Sequence, residues 1–295
     1  TLNAMAAARG VIAPVMLRIK PGVDAHTHSF IRTGQIDSKF GFALETGEAL
    51  AAVKLALGSK NLRLIGLHCH IGSQIFEIDP FCLAVKVMLE FMGLICRETG
   101  AVLGELNLGG GFGIRYIAEN DPVAYDRYME KVAAVVRDCC KKLGFPAPFL
   151  LLEPGRSIVG AAGITLYQVG SVKTIPGIRT YVSVDGGMGD NPRYALYQAD
   201  YTFLAAARAG EPKTQTVTVA GKYCESGDLL GENVSLQEVA PGEILAVLAT
   251  GAYNYSMASN YNRNPRPPVV LVGEKGDRVI VRRESLEDLI RNDSD

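Results

Sequence analysis

The chain has 295 residues, 48% hydrophobic and 21% charged, with a formal net charge of −1. That composition suits a globular protein with one large core or two medium ones and offers no basic field to nucleic acid or an anionic membrane, so a small-molecule partner is expected. No apolar run nears the ~20 residues of a membrane helix and no signal-peptide pattern opens the chain, which points to the cytoplasm; the scattered cysteines, with no Cys-x-x-Cys pair, read as reduced thiols.

Residues 1–10 read as the end of a helix stopped by Gly10, with no Met in front, so the chain is expected to begin within a larger structural unit. Strand patterns then appear at 14–19, 62–70, 103–108 and 149–153, separated by helical patterns at 47–58, 80–99 and 122–143. Strands about 40 residues apart with helices between them predict parallel strand–helix units. The last of these strands, Leu150-Leu151-Leu152 before Glu153, is expected to be covered on both faces. After Arg156 the pattern changes to strands without helices, at 164–172, 180–184, 215–220, 244–248, 269–272 and 279–283. These are rich in Val, Ile, Thr and Tyr, and predict a mainly antiparallel barrel or sandwich. Two domains follow, residues 1–160 and 161–295, the second ending in a short capped helix from Ser285.

The ends of the parallel strands carry the chemistry. They read His68-Cys69-His70-Ile71-Gly72-Ser73-Gln74, Gly109-Gly110-Gly111-Phe112-Gly113 and Glu153-Pro154-Gly155-Arg156, all at one end of the sheet, where ligands of strand–helix folds bind. Consecutive glycines let backbone N–H groups approach an anion, and the absence of a dinucleotide fingerprint favours a phosphate site of another kind; a tight turn needing glycine dihedrals explains the loop equally well. The paired histidines suit stacking on an aromatic ring better than metal binding, since Glu153 is the only acid ending a neighbouring strand. Glu153 and Arg156 also admit a local ion pair in a surface turn. In the second domain, polar residues cluster at 185–197, 224–228 and 251–255. An Arg and a Glu brought together there would complement the carboxylate and ammonium of an amino acid, while Cys224 has the chemistry of a thiol acid, a nucleophile or an inert buried residue.

The strings Gly66-Leu67-His68-Cys69-His70-Ile71-Gly72-Ser73-Gln74, Leu106-Asn107-Leu108-Gly109-Gly110-Gly111-Phe112-Gly113, Glu153-Pro154-Gly155-Arg156, Cys224-Glu225-Ser226-Gly227-Asp228 and Gly251-Ala252-Tyr253-Asn254-Tyr255 together resemble the diaminopimelate decarboxylases. The resemblance covers essentially the whole chain. It implies an α/β plus β protein: the C-terminal half of a (β/α)8 barrel binding pyridoxal 5′-phosphate, followed by a β domain. It also implies that His70 stacks on the pyridine ring and that Glu153 pairs with the ring nitrogen. Ser73, Gly109, Gly110, Gly111, Gly155, Arg156 and Tyr253 would hold the phosphate. Arg156, Arg193, Tyr197, Glu225 and Tyr253 would contact the substrate, meso-2,6-diaminopimelate, which has an amino-acid group at each end. Cys224 would return a proton to the decarboxylated carbon, leaving L-lysine, and Cys224 and Glu225 would come from the partner subunit of a homodimer.

The sequence departs from the family where the cofactor-holding lysine belongs: no Tyr-x-x-Lys-x-Asn type motif is present, and Lys20, Lys39 and Lys222 sit in other motifs. On the usual size of such barrels, roughly 125 residues would precede Thr1, and the chain alone would turn over nothing. Two other readings stand beside this one: a non-catalytic relative acting as a dimerising regulator, and a decarboxylase of ornithine, arginine or a carboxylated polyamine. Glu225 favours the diaminopimelate branch, because the related enzymes carry Asp after the donor Cys. Tyr194, in place of a second proline, and Tyr223, in place of a Cys, also depart from the family pattern.

Overall fold

The computed structural model describes residues 1–23 and 39–294. It divides into two compact units, Thr1–Ile114 with Asp121–Ser157, and Arg115–Asn120 with Ile158–Asp295. The first unit alternates α1 (Leu2–Ala8), β1 (Ala13–Lys20), β2 (Phe42–Ala43), α2 (Glu48–Leu57), β3 (Leu62–His68), α3 (Asp79–Thr99), β4 (Glu105–Asn107), α4 (Tyr125–Leu143) and β5 (Phe149–Leu151). Its sheet runs in the order β2-β1-β3-β4-β5 and every pairing is parallel. The register sets Arg18 beside His68 and His68 beside Asn107, which in turn faces Leu151. That row fixes which side chains meet at the strand ends.

Helices cover one face of this sheet because their apolar residues recur at helical spacing. In α4, Tyr128, Val132, Val136 and Cys140 are buried at four-residue intervals, and the helix stops at Gly144, whose φ of 72° is left-handed. In α3, Pro80 fills the first turn and Gly100 (φ 74°) ends it. Val85, Met88 and Leu89 of α3 meet Leu67 and Leu106 of the strands in a core fully withdrawn from solvent. Each such side chain contributes roughly 1.5–3 kcal/mol.

One expectation changes here. The run before Glu153 is not covered on both faces: β5 is the edge strand, Phe149 is 71% exposed and Leu150 to Leu152 are half-buried. At the other side of the sheet β2, a pair of residues with no strand signal of its own, joins β1 at Ile19 and Lys20.

The chain passes from the first unit to the second within α5 (Gly155–Val159), and the second then holds β6 (Thr165–Ile175), β7 (Arg179–Val184), α6 (Arg193–Tyr197), β8 (Phe203–Ala205), β9 (Gln215–Ala220), β10 (Leu229–Leu236) and β11 (Ile244–Val247). Six strands lie in the order β10-β9-β7-β6-β11-β8, antiparallel except for β7 against β9. The edge strands come together where the Phe203 ring lies beside Gly231, so the sheet nearly closes into a barrel around Val182, Val219, Leu230 and Leu245. After α7 (Asn254–Met257), β12 (Val269–Leu271) and β13 (Arg278–Val281) form a separate hairpin instead of extending the barrel, and α8 (Leu286–Ile290) carries a capping box between Ser285 and Asp288. The segment Arg115–Asn120 joins this unit through buried Tyr116, whose carbonyl accepts from the Thr202 hydroxyl at 2.7 Å. Among the described residues, no helix is long and apolar enough to cross a membrane.

Candidate functional site

In the first unit the strand ends gather a carboxylate, two imidazoles, a guanidinium and the glycine loop. The ladder persists past the strands: Cys69 N–H donates to Asn107 O at 2.8 Å, and Glu153 N–H to Gly109 O at 2.9 Å. These bonds draw the His68-to-Ser73 segment, the glycine loop and Glu153 to one level. The loop is then anchored by Phe112, which stacks on Phe81 with ring centroids 5.0 Å apart and bridges to Ile75.

The glycines are required by closeness. A Cβ on Gly109 would stand 2.6 Å from Cys69 O; one on Gly110 would overlap Glu153 O, and one on Gly111 (φ 105°) would overlap Gly72 O. Their N–H groups serve the site's own architecture. Gly109 N–H donates to Asn107 Oδ1 at 2.8 Å, Gly110 N–H to His70 Nδ1 at 3.2 Å, and Gly155 N–H to Glu153 O at 2.9 Å. The sequence could suggest that these amides approach an anion, but not that some of them orient side chains.

Glu153 is exposed at the sheet end, yet its carboxylate is held. Asn107 Nδ2 donates to Oε1 at 2.9 Å, and His68 Nε2 lies 3.5 Å from Oε2. The Arg156 guanidinium donates to Ser73 Oγ at 2.9 Å. Burial lowers the pKa of His68 against the raising effect of Glu153. It pushes His70 further, down to about 4, helped by the charges of Arg18 and His68. His70 thus presents a neutral ring at physiological pH, with Nδ1 as acceptor and the proton on Nε2.

This yields a pH prediction. Since the folded state lowers the His70 pKa from its ordinary 6.5 to about 4, the unfolded chain takes up the proton first as pH falls through that window, and stability falls with it. His70→Gln should flatten that part of the acid loss, and the His70 ring should titrate near pH 4 by NMR. A His70 signal titrating near 6.5 would contradict the buried, neutral ring.

In the second unit the polar clusters lie on loops around the barrel. Arg193 opens α6, its guanidinium 3.7 Å above the Tyr116 ring and its Nη1 donating to the carbonyls of Ala199 and Asp200 at 3.0 and 2.8 Å. Tyr197 closes the same helix, half-buried. Tyr194, which departs from the family pattern, donates to Glu232 at 3.1 Å, and Arg179 binds the other oxygen of that carboxylate at 2.7 Å. Cys224 and Glu225 are exposed, with Cys224 N–H on Asn262 Oδ1 at 3.0 Å and Glu225 accepting from Tyr261 OH at 3.3 Å. Cys224 is therefore not an inert buried thiol. Tyr253, 50% exposed, holds φ 71°, a conformation that costs a bulky residue about 1 kcal/mol or more.

Sequence reasoning missed two residues that arrange these sites. One is Asn107, next to the glycines but read only as strand. The other is Asp228, 3% exposed, which accepts from Met188 N–H and Tyr223 N–H, both at 2.7 Å, and so ties the loop leading to Arg193 to the loop of Cys224 and Glu225. Among the described residues, no group of His, Cys, Asp and Glu suits a metal ion, and all six cysteines are free thiols.

A neutral flat imidazole, an oriented carboxylate and a guanidinium with a hydroxyl are the donor set for an aromatic ring bearing a basic nitrogen and a phosphate, and pyridoxal phosphate fits them. Residues 2–160 match the pyridoxal binding domain, and residues 116–251 the C-terminal sheet domain, of the pyridoxal-dependent decarboxylases, so fold and site together define that class. Among curated relatives, the diaminopimelate decarboxylase of Bacillus subtilis is 51% identical over 279 residues, 95% of this chain and 64% of that protein. That of Mycobacterium tuberculosis is 42% identical over 298 residues, 98% of this chain and 67% of that protein. The crystal structure of diaminopimelate decarboxylase from m. jannaschii in co-complex with L-lysine superposes with a TM-score of 0.90 at 36% identity, covering 100% of this chain and 66% of that one. The chain belongs to the diaminopimelate decarboxylase family. It spans a little under two thirds of the length of the first of these curated relatives.

Proposed function

We propose that the chain supplies the cofactor and substrate residues of an enzyme that converts meso-2,6-diaminopimelate to L-lysine and carbon dioxide. The observation that carries this reading is the Glu153 carboxylate fixed between Asn107 and His68 at the end of a sheet where the segment after β3 presents neutral His70. When bound, pyridoxal phosphate supplies an electron sink for the pair left behind by carbon dioxide. Glu153 would keep the ring nitrogen protonated, His70 would offer its uncharged face, and Ser73 and Arg156 would take the phosphate; the family resemblance also assigns a phosphate contact to Tyr253. The glycine loop contributes close approach. Its Gly109 and Gly110 amides act chiefly through Asn107 and His70.

Arg193 and Glu225 would take the carboxylate and ammonium of the substrate end that does not react, Tyr197 and Arg156 would also contact substrate as the family resemblance implies, and Cys224 would move a proton from Sγ to the decarboxylated carbon. The exposure of Cys224 and Glu225 supports their presentation to a second copy, in a cytoplasmic homodimer. L-lysine bound to the m. jannaschii enzyme and to that of Helicobacter pylori supports lysine as the product held at this site.

Intact mass after borohydride reduction with pyridoxal phosphate tests the reading, on this chain and on one extended through the part of the relatives' length that it does not span. A stable adduct on the extended chain, with lysine formed from diaminopimelate, is the expected result. An extended chain that binds cofactor and leaves diaminopimelate untouched would falsify the substrate assignment.

A further inference from the structure

Glu153 is a glutamate beyond the last residue of an edge strand, on a side chain with three rotatable bonds and substantial exposure. Left to itself, such a carboxylate samples many orientations, whereas pairing with one ring nitrogen demands a single one. The structure resolves this through Asn107. Its side chain is buried in the neighbouring strand and uses both ends of its amide: Oδ1 accepts from Gly109 N–H at 2.8 Å, and Nδ2 donates to Glu153 Oε1 at 2.9 Å. The Gly109 N–H fixes which way the amide faces, because only the oxygen can accept from it. The Nδ2 group must then point to Glu153.

We infer that Asn107 is the positioning residue of the cofactor site, orienting the Glu153 carboxylate toward the ring nitrogen and locking it to the glycine loop. The inference rests on the cofactor reading above. His68 holds the second oxygen at 3.5 Å, a looser contact, so Asn107 dominates the orientation. The same residue reaches His70 indirectly, since the Gly109 bond steadies the loop whose next amide, Gly110 N–H, donates to His70 Nδ1 at 3.2 Å. An Asp at this position would keep the Gly109 bond and replace the donor by a second negative oxygen facing Glu153. An Ala would lose both bonds. A Ser would retain an acceptor near Gly109 and remove the donor to Glu153.

The test uses 4′-deoxypyridoxine 5′-phosphate, which carries the ring nitrogen and phosphate and needs no lysine to bind. Its ultraviolet spectrum reports ring protonation. With the parent chain, binding should raise the ring nitrogen's pKa above that of the free analogue, and Glu153→Ala should abolish that rise. Asn107→Ser and Asn107→Ala should each weaken binding about tenfold, the size expected for losing a charge-assisted hydrogen bond, and reduce the rise. Asn107→Asp should be weaker still at neutral pH and recover as pH falls. In the Glu153→Ala background, Asn107→Ser should change neither quantity further.

The outcomes separate the two readings. Should Glu153→Ala abolish the rise while Asn107→Ser leaves both rise and affinity intact, the positioning role is wrong and the cofactor site stands. Equal loss of affinity from Asn107→Ser in both backgrounds, with the rise preserved, would mean a structural role only and also overturns it. No binding to the parent chain, or a ring pKa that Glu153→Ala does not move, would take down the cofactor reading and this inference together.

Discussion

Asp228→Ala should destabilise the β unit by about 2–5 kcal/mol, the size expected when two buried amides lose their acceptor. Asp228 directly follows the exposed Cys224-to-Gly227 turn, and each of its carboxylate oxygens serves a different loop. Oδ1 accepts from Met188 N–H and Oδ2 from Tyr223 N–H, while Gly221 N–H donates to its carbonyl at 2.9 Å. A Cβ on Gly187 or Gly221 would overlap these same oxygens, so both glycines exist at these places to let the carboxylate in. Burial raises the Asp228 pKa, and the two amides oppose that shift. Asp228→Asn keeps the shape and turns one acceptor into a donor facing an N–H; a loss of about 1–3 kcal/mol is expected, smaller than for Ala. Urea unfolding of the three proteins gives the ranking. The consequence for the site is local and separable from stability: the iodoacetamide alkylation rate of Cys224 in the folded state should change in both variants, because the turn that displays the thiol loses its tether. A variant as stable as the parent, with unaltered Cys224 reactivity, would show that the two loops hold themselves in place.

Asp228 also illustrates what the amino-acid pattern could and could not convey. The first unit was readable because β1, β3, β4 and β5 fall in compact apolar runs, and the last three of these lead into residues that make no sense except at a strand end: His68 and His70, the glycines, Glu153. Their grouping at one edge follows from parallel topology alone. What hydrogen-bonds to what does not follow, since Asn107 has the same local signal whether it only completes a strand or also donates to the Glu153 carboxylate. The second unit was less legible for a definite reason. β10 escaped notice because its register against β9 shifts twice, and Asn233 adopts φ 52°, which breaks the two-residue alternation by which a strand is recognised. The placement of Arg115–Asn120 with the second unit depends on Tyr116 filling a site against Arg193 and Tyr201, a contact between residues far apart in the chain. The run before Glu153 misled because an edge strand and a central one share the same composition; only the sheet order distinguishes them.

The glycine loop offers the sharpest contrast between steric necessity and mere glycine content. Gly110→Ala should cost about 2–4 kcal/mol, whereas Gly104→Ala, in the same unit, should change stability by no more than about 0.5 kcal/mol. Around Gly104 nothing lies within 4 Å of the added carbon. At Gly110 the added carbon would overlap the Glu153 carbonyl oxygen and stand 3.2 Å from its carbonyl carbon, and neither belongs to a flexible side chain that can swing away. Either the loop or the Glu153 backbone must move. Moving the loop breaks the Gly110 N–H bond to His70 Nδ1, and moving Glu153 strains the bonds that its amide makes to Gly109 O and its carboxylate makes to Asn107. Both routes dismantle the arrangement that presents a neutral ring beside an oriented carboxylate. The two alanine variants should therefore differ twice, in urea midpoint and in affinity for 4′-deoxypyridoxine 5′-phosphate, with Gly104→Ala matching the parent in both. Parent-like behaviour of Gly110→Ala in both measurements would mean that the loop has slack, and that the three glycines are present for turn geometry alone.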